Sequence, residues 1–258
     1  MRVAQLSDLH LTDDGSPLYG HVDTEGAARQ AVQTIADLIP RPDFLLLTGD
    51  LADGGTDQAY RRLRQWLERA GIPYALVPGN HDQRATLRRV FPEQGWPAEG
   101  LCCQRVDCGE GALVLVDSQI PGEEAGEIGP QQQTWLEALG LMDRPTLLVM
   151  HHPPFAVGIP GMDAIRCRGS DDLTVWMARQ PAVEALLCGH VHRFVSGTFA
   201  GRPALIAPSP AHQIAYGAGP LAYTLEPGGF LLHDWRPGQG LITHYLPVWP
   251  AAVHVYRD

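Results

Sequence analysis

Apolar and polar positions along the chain switch between two periods. Residues 3–6 form a short apolar run that predicts a strand. Over 24–39, Ala27, Ala28, Ala31, Ile35, Leu38 and Ile39 recur at helical spacing, and Pro40 stops the run. Phe44–Leu47 is wholly apolar, as a strand buried on both faces requires. Thr56 stands where a helix cap is wanted, ahead of Tyr60, Leu63, Leu67 and Ala70 on one face and Gly71 at the end. With a strand at Tyr74–Val77 the order becomes β-α-β-α-β, the pattern of a largely parallel sheet.

The second half repeats the theme less regularly. Leu101–Val106 and Leu113–Val116 read as strands joined through Gly109 and Gly111. Gly129-Pro130 opens a helix that carries Trp135, Leu136 and Leu139. Thr146–Met150 is a strand, Ser170 caps a further helix, and Ala185–Cys188 is a strand again. Beyond Phe194 only short strands and Gly/Pro turns are expected. No shift in composition marks a linker, so residues 1–258 are expected to form one domain of two sheets with helices outside them.

Chemistry gathers at the ends of the apolar runs. These ends read Ser7-Asp8-Leu9-His10, Gly49-Asp50 with Asp53 following, Gly79-Asn80-His81-Asp82, His151-His152 and Gly189-His190-Val191-His192. Ligands of open α/β sheets bind beyond the carboxyl ends of the strands, so these segments are expected to converge. Residues two apart on an extended segment project to one side, which pairs Asp8 with His10 and His190 with His192. Asp50 stands alone at its strand end and is placed to bridge two cations. Carboxylate, imidazole and amide oxygen together suit Mn, Fe, Co or Zn and not Cu(I). The glycines at 49, 79 and 189 let the chain turn sharply and bring backbone close to the ions.

Composition then removes rival chemistries. All 19 cations of the 258-residue chain are Arg and the formal charge is −10. Without Lys there is no Schiff-base chemistry, no P-loop lysine and no kinase-type phosphate-binding Lys. A net acidic chain is also poorly suited to a nucleic-acid polymer or an anionic membrane. Five Cys without a CxxC pair give no zinc ribbon, and no apolar run approaches the length of a membrane span. A cytoplasmic setting is therefore expected. The chain holds a single Asn, at position 80, inside one of the clusters.

Asp8-x-His10, Gly49-Asp50, Gly79-Asn80-His81-Asp82, His151 and Gly189-His190-x-His192 resemble, in order, the five motifs of the calcineurin-like metallophosphoesterase superfamily. Within it the sequence is similar to the bacterial class III group of glycerophosphodiesterases and cyclic-nucleotide phosphodiesterases. Leu18-Tyr19-Gly20 with Asp23, Met150–Pro154 and His212-Gln213 resemble the glycerophosphodiesterase branch in particular. The resemblance implies a four-layer α/β/β/α sandwich of two mixed sheets. It also implies two divalent metal ions, one held by Asp8, His10, Asp50 and His192, the other by Asp50, Asn80, His151 and His190. The implied reaction is attack of a metal-bound hydroxide on a small phosphodiester, with His81 donating a proton to the leaving oxygen or stabilising phosphoryl charge.

The protein phosphatase branch carries an Arg directly after the second motif, and here the stretch reads Leu51-Ala52-Asp53-Gly54-Gly55. That favours a monoanionic diester over a dianionic monoester, with Asp53 facing a substrate hydroxyl. A glycerophosphodiester is the expected substrate, with a cyclic nucleotide as the alternative; a nuclease and a metal-free scaffold are weaker rivals. His212 is expected near the substrate. His152 should point away from His151 as packing or support, and Asp82 should orient a ligand histidine or cap the following helix. Asp13 and Asp14 read as solvated, and His21, His233, His244 and His254 are given no role. From about residue 215 the chain is expected to form a cap or oligomer contact, in which Trp235, Tyr245 and Trp249 cover either the chain's own core or a neighbour in a homo-oligomer.

Overall fold

Alternation of side chains along the first strands sets the layering. In the computed structural model, which describes residues 1–217 and 219–256, β1 (Arg2–Leu6), β2 (Phe44–Leu47) and β3 (Tyr74–Leu76) run parallel. Ala4, Leu6, Leu45 and Leu47 pack on one face with α1 (Thr24–Ala36), α2 (Asp57–Ala70) and α3 (Arg84–Val90). Val3, Phe44 and Leu46 point to the opposite face, as the two-residue period of a strand demands.

The second sheet has the order β4-β5-β6-β7-β9-β8, with β4 (Gln104–Cys108), β5 (Gly111–Val116), β6 (Thr146–Met150), β7 (Val183–Cys188), β8 (Val195–Phe199) and β9 (Arg202–Ile206). Its four inner strands are parallel and its edges antiparallel. Val114, Val116, Leu148 and Leu186 meet α4 (Pro130–Ala138), α5 (Pro160–Ala164) and α6 (Ser170–Ala178). Leu113, Leu115, Leu147, Val149, Ala185 and Leu187 face the first sheet and close a core between the two. Three buried layers between four layers of elements make the expected α/β/β/α sandwich of two mixed sheets.

The chain after residue 209 returns to both ends of this body. β10 (Gln213–Ile214) pairs with β11 (Tyr223–Thr224) in a small separate hairpin. β12 (Gly229–Arg236) then adds antiparallel to β1, and β13 (Gly240–Pro247) pairs with β12. Trp235 is fully buried between the sheets, its indole N–H donating to Glu184 Oε2 at 2.6 Å, so it covers the chain's own core. Tyr245 and Trp249 remain exposed.

Local differences from the sequence reading have identifiable causes. Residues 101–103 leave the ladder because the Cys102 N–H is donated to the Asp117 carboxylate, and the strand begins at Gln104. Thr56 precedes α2 without a side-chain cap bond, whereas Gly71 ends it in the left-handed region with its N–H on Leu67 O. Ser170 is the first residue of α6 and Gly169 holds the cap position. α3 and α5 carry too few apolar positions to show a helical stripe, and neither is foreseen.

Candidate metal centre

The carboxyl ends of β1, β2, β3, β6 and β7 converge, and each brings its cluster with it. The backbone does this through strain. Asp8, His10, Asp50, His190 and His192 all have φ between 45° and 73°, in the left-handed region. Apart from Tyr19 and Ala200, they are the only non-glycine residues so placed among those described. Such a conformation costs ~1–3 kcal/mol per residue and persists only where the surroundings enforce it. The pairs Asp8/His10 and His190/His192 therefore arise from kinked backbone, a correction to the extended geometry expected from their spacing. Glycine at 79 and 189 permits close approach: a Cβ there would collide with Asp50 Oδ1 and with Ser7 Oγ.

The candidate ligand side chains double as braces between strand ends. The Asp8 carboxylate accepts the His190 N–H at 3.0 Å, and Asp50 Oδ1 accepts the His81 N–H at 2.9 Å. Asp50 Oδ2 lies 3.5 Å from His10 Nε2 and 3.4 Å from His151 Nε2, between two sets of imidazoles. His10 Nε2 and His192 Nε2 approach to 3.1 Å, and His192 Nε2 lies 3.5 Å from Asp8 Oδ1. Asp8, His10, Asp50 and His192 thus present a four-donor set, the one expected for the first ion. His151 and His190 stand beside it with ring centroids 5.2 Å apart, and Asn80 lines the same cavity.

Hydrogen-bond partners decide which ring nitrogens are free. A carbonyl or carboxylate only accepts, so the nitrogen facing it carries the proton and the other keeps its lone pair. His10 Nδ1 donates to Asp53 Oδ1 at 3.2 Å, His151 Nδ1 to Thr48 O at 2.7 Å, and His190 Nε2 to Ile165 O at 3.2 Å. In the neutral rings their opposite nitrogens are left with lone pairs. His152 is different: Nε2 donates to Glu124 O at 3.1 Å and Nδ1 accepts from Ser118 Oγ at 2.9 Å, so it has nothing left for a metal. Its ring lies edge-on to His151 at 4.7 Å instead of pointing away, supporting the site from beside it.

Electrostatics follow from burial and from Asp50. Desolvation raises the Asp8 carboxyl to about 6. Asp50 is equally desolvated, yet His151 and His10 hold it well below the usual carboxylate range. Burial works against a charged His151, but Asp50 outweighs it and raises that imidazole to about 9. Burial lowers His190 to about 3 and His192 far below its ordinary value, leaving neutral rings. Burial also opposes charge on His81, and its hydrogen bond to Asp53 with the charge of Asp50 overcomes this to give about 10.

The residues fit a pair of divalent ions. Asn80 Oδ1 and His151 Nε2 are buried without any hydrogen-bond partner, although an unmet buried polar atom is expensive. Oxygen and nitrogen donors of carboxylate, imidazole and amide types converge there, as borderline divalent metals prefer.

The remaining expectations fare unevenly. Asp53 lies with Oδ1 between His10 Nδ1 and His81 Nδ1, at 3.2 and 3.3 Å, and is not among the residues lining the cavity that holds His81 and Asn80. His212 does line it, with Nε2 3.1 Å from His192 Nδ1. Asp82 touches no histidine and caps no helix: it accepts from the N–H groups of Leu51, Ala52 and Gly79 and from Tyr60 Oη, tying two ligand loops together. Gln119, which the sequence reading missed, clamps the Asn80 loop from the second sheet, donating to Gly79 O and Asp82 O at 2.8 and 2.6 Å. Tyr19, Ile214, Leu221 and Tyr223 also line the cavity, and of these only Tyr19 belonged to a noted motif.

Residues 1–194 match the calcineurin-like phosphoesterase family, and the chain belongs to it. Among curated relatives it is 34% identical to a probable glycerophosphodiester phosphodiesterase GpdQ of Arcobacter nitrofigilis, over 95% of this chain and 92% of that one. It is 33% identical to a 3',5'-cyclic adenosine monophosphate phosphodiesterase CpdA of Pseudomonas aeruginosa, over 90% of this chain and 85% of that one. Of solved structures, a dimetal phosphatase from Danio rerio superposes with a TM-score of 0.64 at 15% identity, over 94% and 98% of the two chains, a likeness of fold.

Proposed function

We propose that this chain hydrolyses small phosphodiesters at a binuclear centre of divalent metal ions. The observation that carries the reading is the position of Asp50 Oδ2 between His10 and His151, with Asn80 Oδ1 and His151 Nε2 buried and unpartnered around it. Asp8, His10, Asp50 and His192 would hold one ion, and Asp50, Asn80, His151 and His190 the other. When bound, the ions supply positive charge for the phosphoryl oxygens and acidify water to serve as nucleophile. The donor set suits Mn, Fe, Co or Zn.

The chain's own groups do the rest. His81 lines the cavity with Nδ1–H held by the Asp53 carbonyl at 3.1 Å, which leaves Nε2 to meet the substrate. From there it protonates an alkoxide leaving oxygen or stabilises phosphoryl charge. No Arg follows Asp50 to grip a second phosphate charge, which supports a diester over a monoester. The names of the relatives support both glycerophosphodiesters and cyclic nucleotides as substrates. In this reading the chain works in the cytoplasm as one domain and a homo-oligomer, with the exposed apolar tail around Trp249 and Val253 as a contact surface. No described helix is long and apolar enough to cross a membrane.

A metal-reconstituted panel of a glycerophosphodiester, cyclic AMP, a nitrophenyl diester and a nitrophenyl monoester tests the reading. Diester turnover that disappears on chelation and returns with metal is expected; preference for the monoester contradicts it.

A further inference from the structure

We infer that the β10–β11 hairpin carries the specificity wall of the site, with Tyr223 selecting diesters that bear a planar ring, such as a nucleoside or aryl group, over those bearing only glycerol. This rests on the phosphodiesterase reading above and specifies its substrate.

The cavity holds about 290 Å³, room for one small molecule. Its two sides differ in kind. One is the metal centre; the other is built from Tyr19, Met162, Ile165, Ile214, Leu221 and Tyr223, none of them charged. Tyr19 and Tyr223 stack with centroids 5.1 Å apart, and Tyr19 is 61% exposed in a left-handed backbone conformation. Leu221 crosses from the hairpin to α5, where a Cβ on Gly161 would come within 3.1 Å of the Leu221 Cβ. Hairpin and helix thus close the rim.

This wall offers a polyol few partners, chiefly the Tyr19 hydroxyl and the unpartnered Nδ1 of the neighbouring His212. The Tyr223 hydroxyl is engaged by His21 Nε2 at 3.0 Å, the other hydroxyl of the wall is that of Tyr19 at the exposed rim, and the carboxylates in the lining are Asp50 on the metal side and the exposed Glu124. Glycerol hydroxyls pressed against Ile214 and Leu221 would lose water without gaining partners. A flat ring suffers no such loss and gains contact with the tyrosine pair.

Removing a stacked aromatic weakens base binding by roughly tenfold or more. In Tyr223→Ala, the ratio of kcat/KM for cyclic AMP to that for glycerophosphoethanolamine should fall about tenfold, through KM of the cyclic nucleotide. Tyr223→Phe keeps the ring and should keep the ratio. An unchanged ratio in Tyr223→Ala, or an equal fall in Tyr223→Phe, overturns the assignment. So does a wild-type enzyme that prefers the glycerol diester, an outcome that leaves the phosphodiesterase reading intact. If the wild type turns over no diester, that reading fails instead, and calorimetry still tests the wall: AMP must bind the metal-loaded protein more tightly than glycerol 3-phosphate, and equal affinities overturn it.

Discussion

Buried histidines occur in this fold in two kinds, and the contrast between them tells what fits a histidine to hold a metal. His10, His151, His190 and His192 crowd one end of the sandwich; His233 lies alone on β12. All are almost fully buried, so burial does not separate them. The fate of the second nitrogen does. His233 spends both, with Nδ1 2.8 Å from Thr243 Oγ1 and Nε2 donating to Gln5 Oε1 at 3.0 Å. His10, His151 and His190 spend one on a carboxylate or carbonyl, which leaves the other, in the neutral ring, a lone pair to offer an ion. Three of the four cluster histidines or their motif partners also sit on strained backbone, whereas His233 is in regular strand. His152 has the address of the first kind and the hydrogen bonding of the second, which is why its support role follows from geometry alone.

The sharpest attack on this contrast is the residue on which both ligand sets lean. Asp50→Ala removes the carboxylate between His10 and His151 and the acceptor for the His81 N–H together. Activity should fall by at least about 10³-fold, more than for removal of any ligand of one ion, because electrostatic stabilisation of the phosphoryl group is lost with both ions. Elemental analysis should find fewer than two ions per chain. Near-normal turnover with full metal content would mean that the cluster is not organised around Asp50.

Next in size is His81, a partly exposed histidine of the cavity to which the proposed reading gives no ion. With its Nδ1–H held by Asp53, His81→Ala should cost about 10²-fold on a diester with an alkoxide leaving group. A nitrophenolate leaves without protonation, so the loss there should be much smaller. Equal losses on both leaving groups would make His81 a binding group rather than a proton donor.

Legibility in the sequence follows the same division. β2 and β6 match their expected bounds and β1, β3 and α2 nearly so, because a short wholly apolar run between polar ends and the stripe of a one-faced helix are both marks that neighbours cannot disguise. The convergence of the candidate ligands was legible because five motifs had to meet at strand ends. Its local geometry was not: φ near 50° at Asp8 and Asp50 is imposed by bonds such as Asp8 to the His190 N–H, 182 residues away. The same holds for Gln119, which donates from the second sheet to the first, and for Asp82, which ties the loops after β2 and β3 together; neither leaves a mark in composition. The tail is the largest difference. Its short Gly/Pro-punctuated runs concealed that β12 pairs with β1 and becomes an interior strand of the first sheet.

The smallest expected effect concerns the other member of the comparison and touches stability alone. Burial lowers His233 to about 3, below the ordinary value of 6.5, so the neutral ring is the form that the fold accommodates. A base depressed on folding contributes fully above its unfolded pKa and loses that contribution as pH falls from 6.5 towards 3. By pH 5 the loss amounts to about 2 kcal/mol, at about 1.4 kcal/mol per unit. Urea unfolding at pH 7.5 and pH 5 should therefore show a steeper loss of stability for the wild type than for His233→Gln, which keeps polar contacts but cannot be protonated. Carboxylates and metal ligands titrate alike in both proteins and cancel in the difference. Identical pH slopes would show that His233 takes up no proton on unfolding and that its place in the sheet, unlike that of the ligand histidines, imposes no charge state at all.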